Sequence, residues 1–179
     1  MPTTYLGPLS WFAQLPAAIE VNETFEKQTF RNRCLIRSLA TNEMIRLTVP
    51  VCKVETKQLT RDIEISYQQH WQHQHWMAIR SAYEHTPYFL YYEDYLRPFY
   101  EKETKFLIDL NAGLTETIWQ LLQNERPIND VPFGGNLTEG AYTCSWSGQT
   151  WTDRHPWQNE VSILETLFEK GPETLRYAN

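Results

Sequence analysis

Apolar residues recur at helical spacing through the second half of the chain and alternate at strand spacing in part of the first. The clearest period runs from Glu103 to Asn124, where Leu107, Leu110, Leu114, Ile118, Leu121 and Leu122 share one helical face. Gly113 sits inside that helix at a local cost of roughly 1 kcal/mol. From about Gln69 to Glu84, the residues Trp71, His75, Ala78, Ile79 and Ala82 fall on a second such face. Pro87 is placed to open a further helix that runs to about Tyr100. Ser162 and Glu165 have the spacing of a capping box for a short closing helix, which Gly171-Pro172 terminates.

The first half reads differently. Arg33 to Leu39 and Met44 to Val51 predict two strands around a turn at residues 40–43. In the second strand Ile45, Leu47, Val49 and Val51 lie on one face, with Met44, Arg46 and Thr48 on the other. Pro50 marks an edge or the end of pairing. Ile63, Ile65 and Tyr67 predict another short strand, after a polar loop or helical turn from Cys52 to Asp62. Near the start, a strand at Thr3–Leu6, a short helix after Gly7-Pro8 and a strand at Ala18–Val21 would make a small crossover unit with parallel strands. The expectation is a single domain over residues 1–179, of mixed α/β class, with a small mixed sheet packed against several helices and a helical second half.

Composition adds bounds. The 41% hydrophobic and 14% aromatic content is globular. Seven Trp and ten Tyr exceed what a core of this size needs, so some are expected to line a pocket or a partner surface. Residues 126–160 show no period yet hold Phe133, Tyr142, Trp146, Trp151 and Trp157, which predicts short strands or an ordered flap. A net charge of −6 argues against sequence-independent nucleic-acid binding. Cys34, Cys52 and Cys144 fit neither a disulfide framework nor a zinc pattern, which points to a reduced compartment. No run approaches a membrane-spanning length, and the expectation is a cytoplasmic protein without membrane association.

Against the acidic background, Lys27, Arg31 and Arg33 cluster within seven residues. Clustered cations call for nearby carboxylates or a bound anion. The segment is therefore either a solvated loop paired with Glu20, Glu23 and Glu26, or a site for phosphate or carboxylate. A helix start after Gly7-Pro8 would add backbone N–H groups for such an anion. The histidines do not make a metal site. On a helix His70 and His73 are about 60° apart, but His73 and His75 differ by roughly 200°. His75 alone lies on the apolar stripe, as either a satisfied core histidine or a group facing a cavity. Cys144 is the one thiol with a plausible cleft setting, and a bystander role is the default.

The order Tyr5-Leu6-Gly7-Pro8, KQTFRNRC, LTVPV, HWMAIRSAY and SILETLFEKGPE resembles the WbqC-like family, in its Bacteroidetes-type form. The resemblance covers most of the chain from Tyr5 to Tyr177 and is weakest between about Pro127 and Gln158. It implies a context in O-antigen and surface-polysaccharide gene clusters, with no settled reaction. It also implies Tyr5, Lys27, Asn32, Arg33 and His75 as site positions, and Glu23 lies near an acidic residue that many members hold before the basic stretch. Where many relatives read Ser-Ile-Leu-Asp, this chain has Glu165, which favours a capping role there.

The function expected from this resemblance is a transferase acting on an activated sugar or a related anionic intermediate, without a cofactor. Lys27, Arg31 and Arg33 would hold the anion, Asn32 would orient it, aromatic residues would stack on the sugar or base, and His75 or Glu23 would act as general base. The alternative is a non-catalytic binding or assembly protein whose aromatic loop contacts a biosynthetic partner.

Overall fold

A computed structural model describes residues 3–13, 15, 31–53, 59–123 and 160–177 of the 179. Among them the fold is mixed α/β, a small antiparallel sheet set against six α-helices. Strands β1 (Arg33–Arg37) and β2 (Met44–Thr48) pair in register from Arg33 opposite Thr48 to Arg37 opposite Met44. The connecting turn closes through Ser38 N–H to the Glu43 carbonyl and Asn42 N–H to the Ser38 carbonyl. Asn42 takes the left-handed conformation there (φ 57°), which Asn tolerates better than most residues.

Alternation along β2 follows the sequence reading. Leu47 and Val49 are buried, Ile45 and Val51 half-buried, and Met44, Arg46 and Thr48 exposed. Regular pairing stops at Thr48, just before Pro50. Beyond it Val51 makes an antiparallel bridge to Ile65, and Glu64 makes one to Phe106, so the strand expected at Ile63–Tyr67 is present only as isolated bridges. On the other side of β1, Leu35 is bridged in parallel by Val161. That bridge leads into helix α6 (Leu164–Lys170), which thereby lies beside the hairpin.

The N-terminal segment departs from the expected strand. Residues Thr3 to Gly7 form a turn, with Leu6 at φ 45° and Tyr5 donating its backbone N–H to the Arg31 carbonyl. Gly7 is buried, and a Cβ there would meet Thr4 Cγ2 at 2.7 Å. The close packing around Gly7 and the anchoring of Tyr5 to Arg31 hold the segment against the core in place of a ladder. Helix α1 (Leu9–Phe12) is a single turn whose Trp11 and Phe12 are buried. The helix start expected after Gly7-Pro8 is therefore present as one turn, too short for an appreciable macrodipole. The strand expected at Ala18–Val21 lies outside the described residues, as does the aromatic segment from Arg126 to residue 159, with Cys144.

Helix α2 (Trp71–Tyr83) buries Trp71, His75, Ile79 and Ala82 of the predicted face and adds Tyr83, while Ala78 is half-buried. The helix expected up to Tyr100 is divided into α3 (Phe89–Leu96) and α4 (Pro98–Glu101), because Pro98 lacks the N–H needed to continue and begins its own turn. Helix α5 (Leu107–Leu122) buries the whole predicted leucine–isoleucine stripe. Gly113 allows Phe99 of α4 to approach, since a Cβ would sit 2.8 Å from Phe99 Cε1.

The closing helix is held differently from the predicted capping box. Ser162 Oγ does accept the Leu164 N–H (3.3 Å), but the Glu165 carboxylate turns to β1. It takes two hydrogen bonds from the Arg37 guanidinium, Nε to Oε2 at 3.1 Å and Nη2 to Oε1. The planar fork of Arg matches a carboxylate at two points, which outcompetes a reach back to a backbone N–H. Gly171 ends α6 at φ 57°, and its α-carbon lies against the ring of Tyr88.

Candidate functional site

Three of the predicted site positions are brought together from distant parts of the chain. The Tyr5 hydroxyl lies 2.9 Å from His75 Nδ1 and 3.0 Å from the Tyr100 hydroxyl. The Tyr5 backbone N–H bonds the Arg31 carbonyl at 3.0 Å. Tyr5 and Arg31 are fully buried and His75 is 6% exposed. Two further residues complete the group. Asn111 of α5 donates from Nδ2 to that same Arg31 carbonyl at 3.1 Å, and the Trp71 ring stands edge-on to His75 with centroids 5.1 Å apart.

Hydrogen-bond balance assigns the roles. The Thr48 backbone bonds the His75 ring and favours its protonated form, as a carbonyl accepting a ring N–H does. Nδ1 is then the acceptor and takes the Tyr5 O–H, which leaves the Tyr5 oxygen to accept from Tyr100. Burial dominates the titration and holds His75 down at about 4, from 6.5, so the imidazole is neutral at pH 7. Burial likewise raises Tyr5 and Tyr100 well above the phenol range, and the two hydroxyls remain protonated. The Cys34 thiol is buried and pushed up by desolvation, which makes it a poor nucleophile.

The other predicted residues are placed as follows. Asn32 donates from Nδ2 to the Val49 carbonyl at 2.8 Å, while Val49 N–H returns to the Asn32 carbonyl, so its amide ties the basic segment to the end of β2. Arg33 begins β1 with an exposed side chain, directly across the ladder from Thr48, the residue whose backbone holds His75. Arg31 and Arg33 thus differ in setting, one inside the fold and one at its surface. Glu23 and Lys27 lie outside the described residues. His70 and His73 are exposed, apart from His75. Among the described residues no group of three His, Cys, Asp or Glu could hold a metal ion, and no helix is long and apolar enough to cross a membrane.

Tyr100, Trp71 and Asn111 were not anticipated as site residues. Tyr100 carries no local signal, because its hydroxyl is one among ten. Asn111 does carry one. Like His75, it is a polar residue on an apolar helical stripe, between Leu110 and Leu114, and such a residue must bond something buried.

The sequence profile of the WbqC-like protein family matches residues 18–132, more than half of the chain's 179 residues. The chain belongs to that family. The matched span includes Glu23, Lys27, Arg31, Asn32, Arg33, His75, Tyr100 and Asn111, while Tyr5 and the Ser162–Glu165 motif lie outside it. No curated protein and no solved structure matches the chain.

Proposed function

We propose that the protein is a cytoplasmic transferase acting on an activated sugar or a related anionic intermediate in O-antigen or other surface-polysaccharide assembly. The observation that supports a site is the 2.9 Å contact between Tyr5 and His75, two positions that the family resemblance singles out and that lie seventy residues apart. The same tyrosine is joined through its backbone to Arg31 of the basic segment. A phosphate or carboxylate on the substrate is held by the cations at Lys27, Arg31 and Arg33, and Asn32 keeps that segment in register with β2.

His75 or Glu23 then serves as general base for the attacking hydroxyl or amine. In the free protein His75 is a weak base, because burial disfavours the imidazolium. A substrate anion placed nearby offsets that penalty and raises the basicity of the ring when it is needed. The nucleophile passes its proton to Tyr5 as Tyr5 passes its own to Nδ1. The new bond to the transferred group forms as the bond to the leaving phosphate breaks.

The test is a thermal-stability screen of nucleotide-sugars, with the matching free nucleotides and free sugars as controls. A stabilising nucleotide-sugar that is consumed by the wild type, and not by His75→Gln, is the expected result. Stabilisation by none of them, together with a protein that co-purifies on the exposed surface, would instead favour an adaptor role.

A further inference from the structure

The β1–β2 hairpin turns one face to the core and one to solvent. Alternation buries Cys34, Ile36 and Leu47, and it leaves Arg33, Leu35 and Arg37 of β1 beside Met44, Arg46 and Thr48 of β2 on the outer face. Arg33 stands opposite Thr48 and Leu35 opposite Arg46, so Arg33 and Arg46 are diagonal neighbours on that face. Such positions lie about 7–8 Å apart, within reach of two long side chains. Neither strand contributes a carboxylate to the face. Arg37 is met by Glu165 of α6. Arg33 and Arg46 are exposed, and among the described residues neither forms an ion pair. Exposed cations elsewhere are commonly paired: Arg61 with Asp62, Arg80 with Glu84, Arg97 with Glu101, Lys105 with Glu64 and Arg176 with Glu173. Lys53 is also exposed and outside these pairs, but it lies beyond Pro50 and off the ladder. In a chain of net charge −6, two guanidinium groups side by side thus make a local positive field that their strand neighbours do not cancel.

We propose, resting on the function proposed above and deepening it, that Arg33 and Arg46 together bind a diphosphate group on the substrate, and that Arg46 selects two linked phosphates over one. Each guanidinium is a planar, permanently charged fork that takes two phosphate oxygens at once. A lone phosphate or a carboxylate fills one fork and leaves its neighbour unmatched. A diphosphate offers oxygens on two phosphorus atoms to two forks set side by side. Thr48, exposed and directly across from Arg33, adds a hydroxyl donor to the same face. The Thr48 backbone is also what bonds the His75 ring, so the diphosphate lies beside the residue that holds the proposed base. Activated sugars carry this group between the sugar and a nucleotide or lipid carrier, and both sources share the chemistry that the two arginines recognise.

The experiment is isothermal titration calorimetry on the full chain at fixed ionic strength. Four probes are used: inorganic phosphate, pyrophosphate, the nucleotide-sugars of the stability screen, and farnesyl diphosphate as the lipid-borne form of the group. Pyrophosphate should bind more tightly than phosphate. Arg46→Gln should weaken pyrophosphate by about fivefold and phosphate by less, at an unchanged melting temperature. Arg46→Lys, which keeps the charge and loses the fork, should recover only part of that loss. Arg61→Gln, which removes an exposed cation elsewhere, should leave binding as it was. Tighter binding of a nucleotide-sugar or of farnesyl diphosphate than of pyrophosphate supports the inference and names the source of the group. Pyrophosphate binding that Arg46→Gln weakens, with no nucleotide-sugar consumed, keeps the inference and removes the transferase reading. A nucleotide-sugar consumed with the same KM by the wild type and Arg46→Gln overturns the inference and leaves the transferase reading standing. Pyrophosphate that binds no more tightly than phosphate, or that Arg61→Gln weakens as much as Arg46→Gln does, also overturns it, and the two arginines are then a solvated face.

Discussion

Replacing Tyr5 with Phe removes one oxygen and leaves two groups without a partner. His75 Nδ1 loses the hydroxyl at 2.9 Å, the Tyr100 hydroxyl loses its partner at 3.0 Å, and the site loses its link between α2 and α4. The ring itself and its packing stay. Each buried polar group left unsatisfied costs about 1–3 kcal/mol, so the substitution should destabilise the fold by about 3 kcal/mol. For a chain of 179 residues that corresponds to a fall of roughly 6–12 °C in melting temperature. Urea unfolding of the wild type, Tyr5→Phe, Tyr100→Phe and the double variant would measure it. Tyr100→Phe should cost about 1 kcal/mol, because the Tyr5–His75 bond survives. The double variant should cost less than the sum, since both single changes break the Tyr5–Tyr100 bond. A loss below about 0.5 kcal/mol for Tyr5→Phe, at an unchanged denaturant slope, would refute the buried network.

Further consequences can be measured on the same material. Because burial holds His75 at about 4 in the folded chain against 6.5 in the unfolded one, the unfolded state binds the extra proton between those values. The stabilisation is therefore complete above pH 6.5 and is lost as the pH falls toward 4, by about 3 kcal/mol. His75→Gln should flatten the stability profile over that window, and a profile parallel to the wild type would contradict the assignment. Gly113→Ala should destabilise despite a gain of roughly 1 kcal/mol in helix propensity, because its Cβ would lie 2.8 Å from Phe99. A raised melting temperature would show that Phe99 yields freely. Glu165→Ala should cost about 1 kcal/mol, with most of it appearing as coupling to Arg37→Ala in a double-mutant cycle, since that pair is partly exposed. Additive losses would mean that the pair contributes nothing of its own.

The helices and the hairpin were legible in the sequence because each has one periodic apolar face. Trp71, His75, Ile79 and Ala82 sit where the period puts them, and so do Leu107 to Leu122. What failed were elements defined by long-range partners. Thr3 to Leu6 looks like a strand, but Tyr5 is held by Arg31 and His75, and no local pattern encodes either contact. Glu165 has the spacing of a capping residue, yet Arg37, 128 residues earlier, takes its carboxylate. The site itself was legible in part. The polar break in the α2 stripe pointed to His75, and the same argument applied to α5 would have reached Asn111. Tyr100 and the edge-on contact of Trp71 with His75 emerge only from the packed fold.

Whether an anionic sugar donor binds beside His75 is answered most directly by titrating that ring by NMR. The His75 pKa would be measured in the free protein and in the protein saturated with the nucleotide-sugar that stabilises it most. In the free protein the account predicts about 4. With ligand bound, a negative charge within a few ångströms should raise it by about one to three pH units. A His75 pKa unchanged at saturation would contradict the account, since it would place the bound anion elsewhere on the molecule.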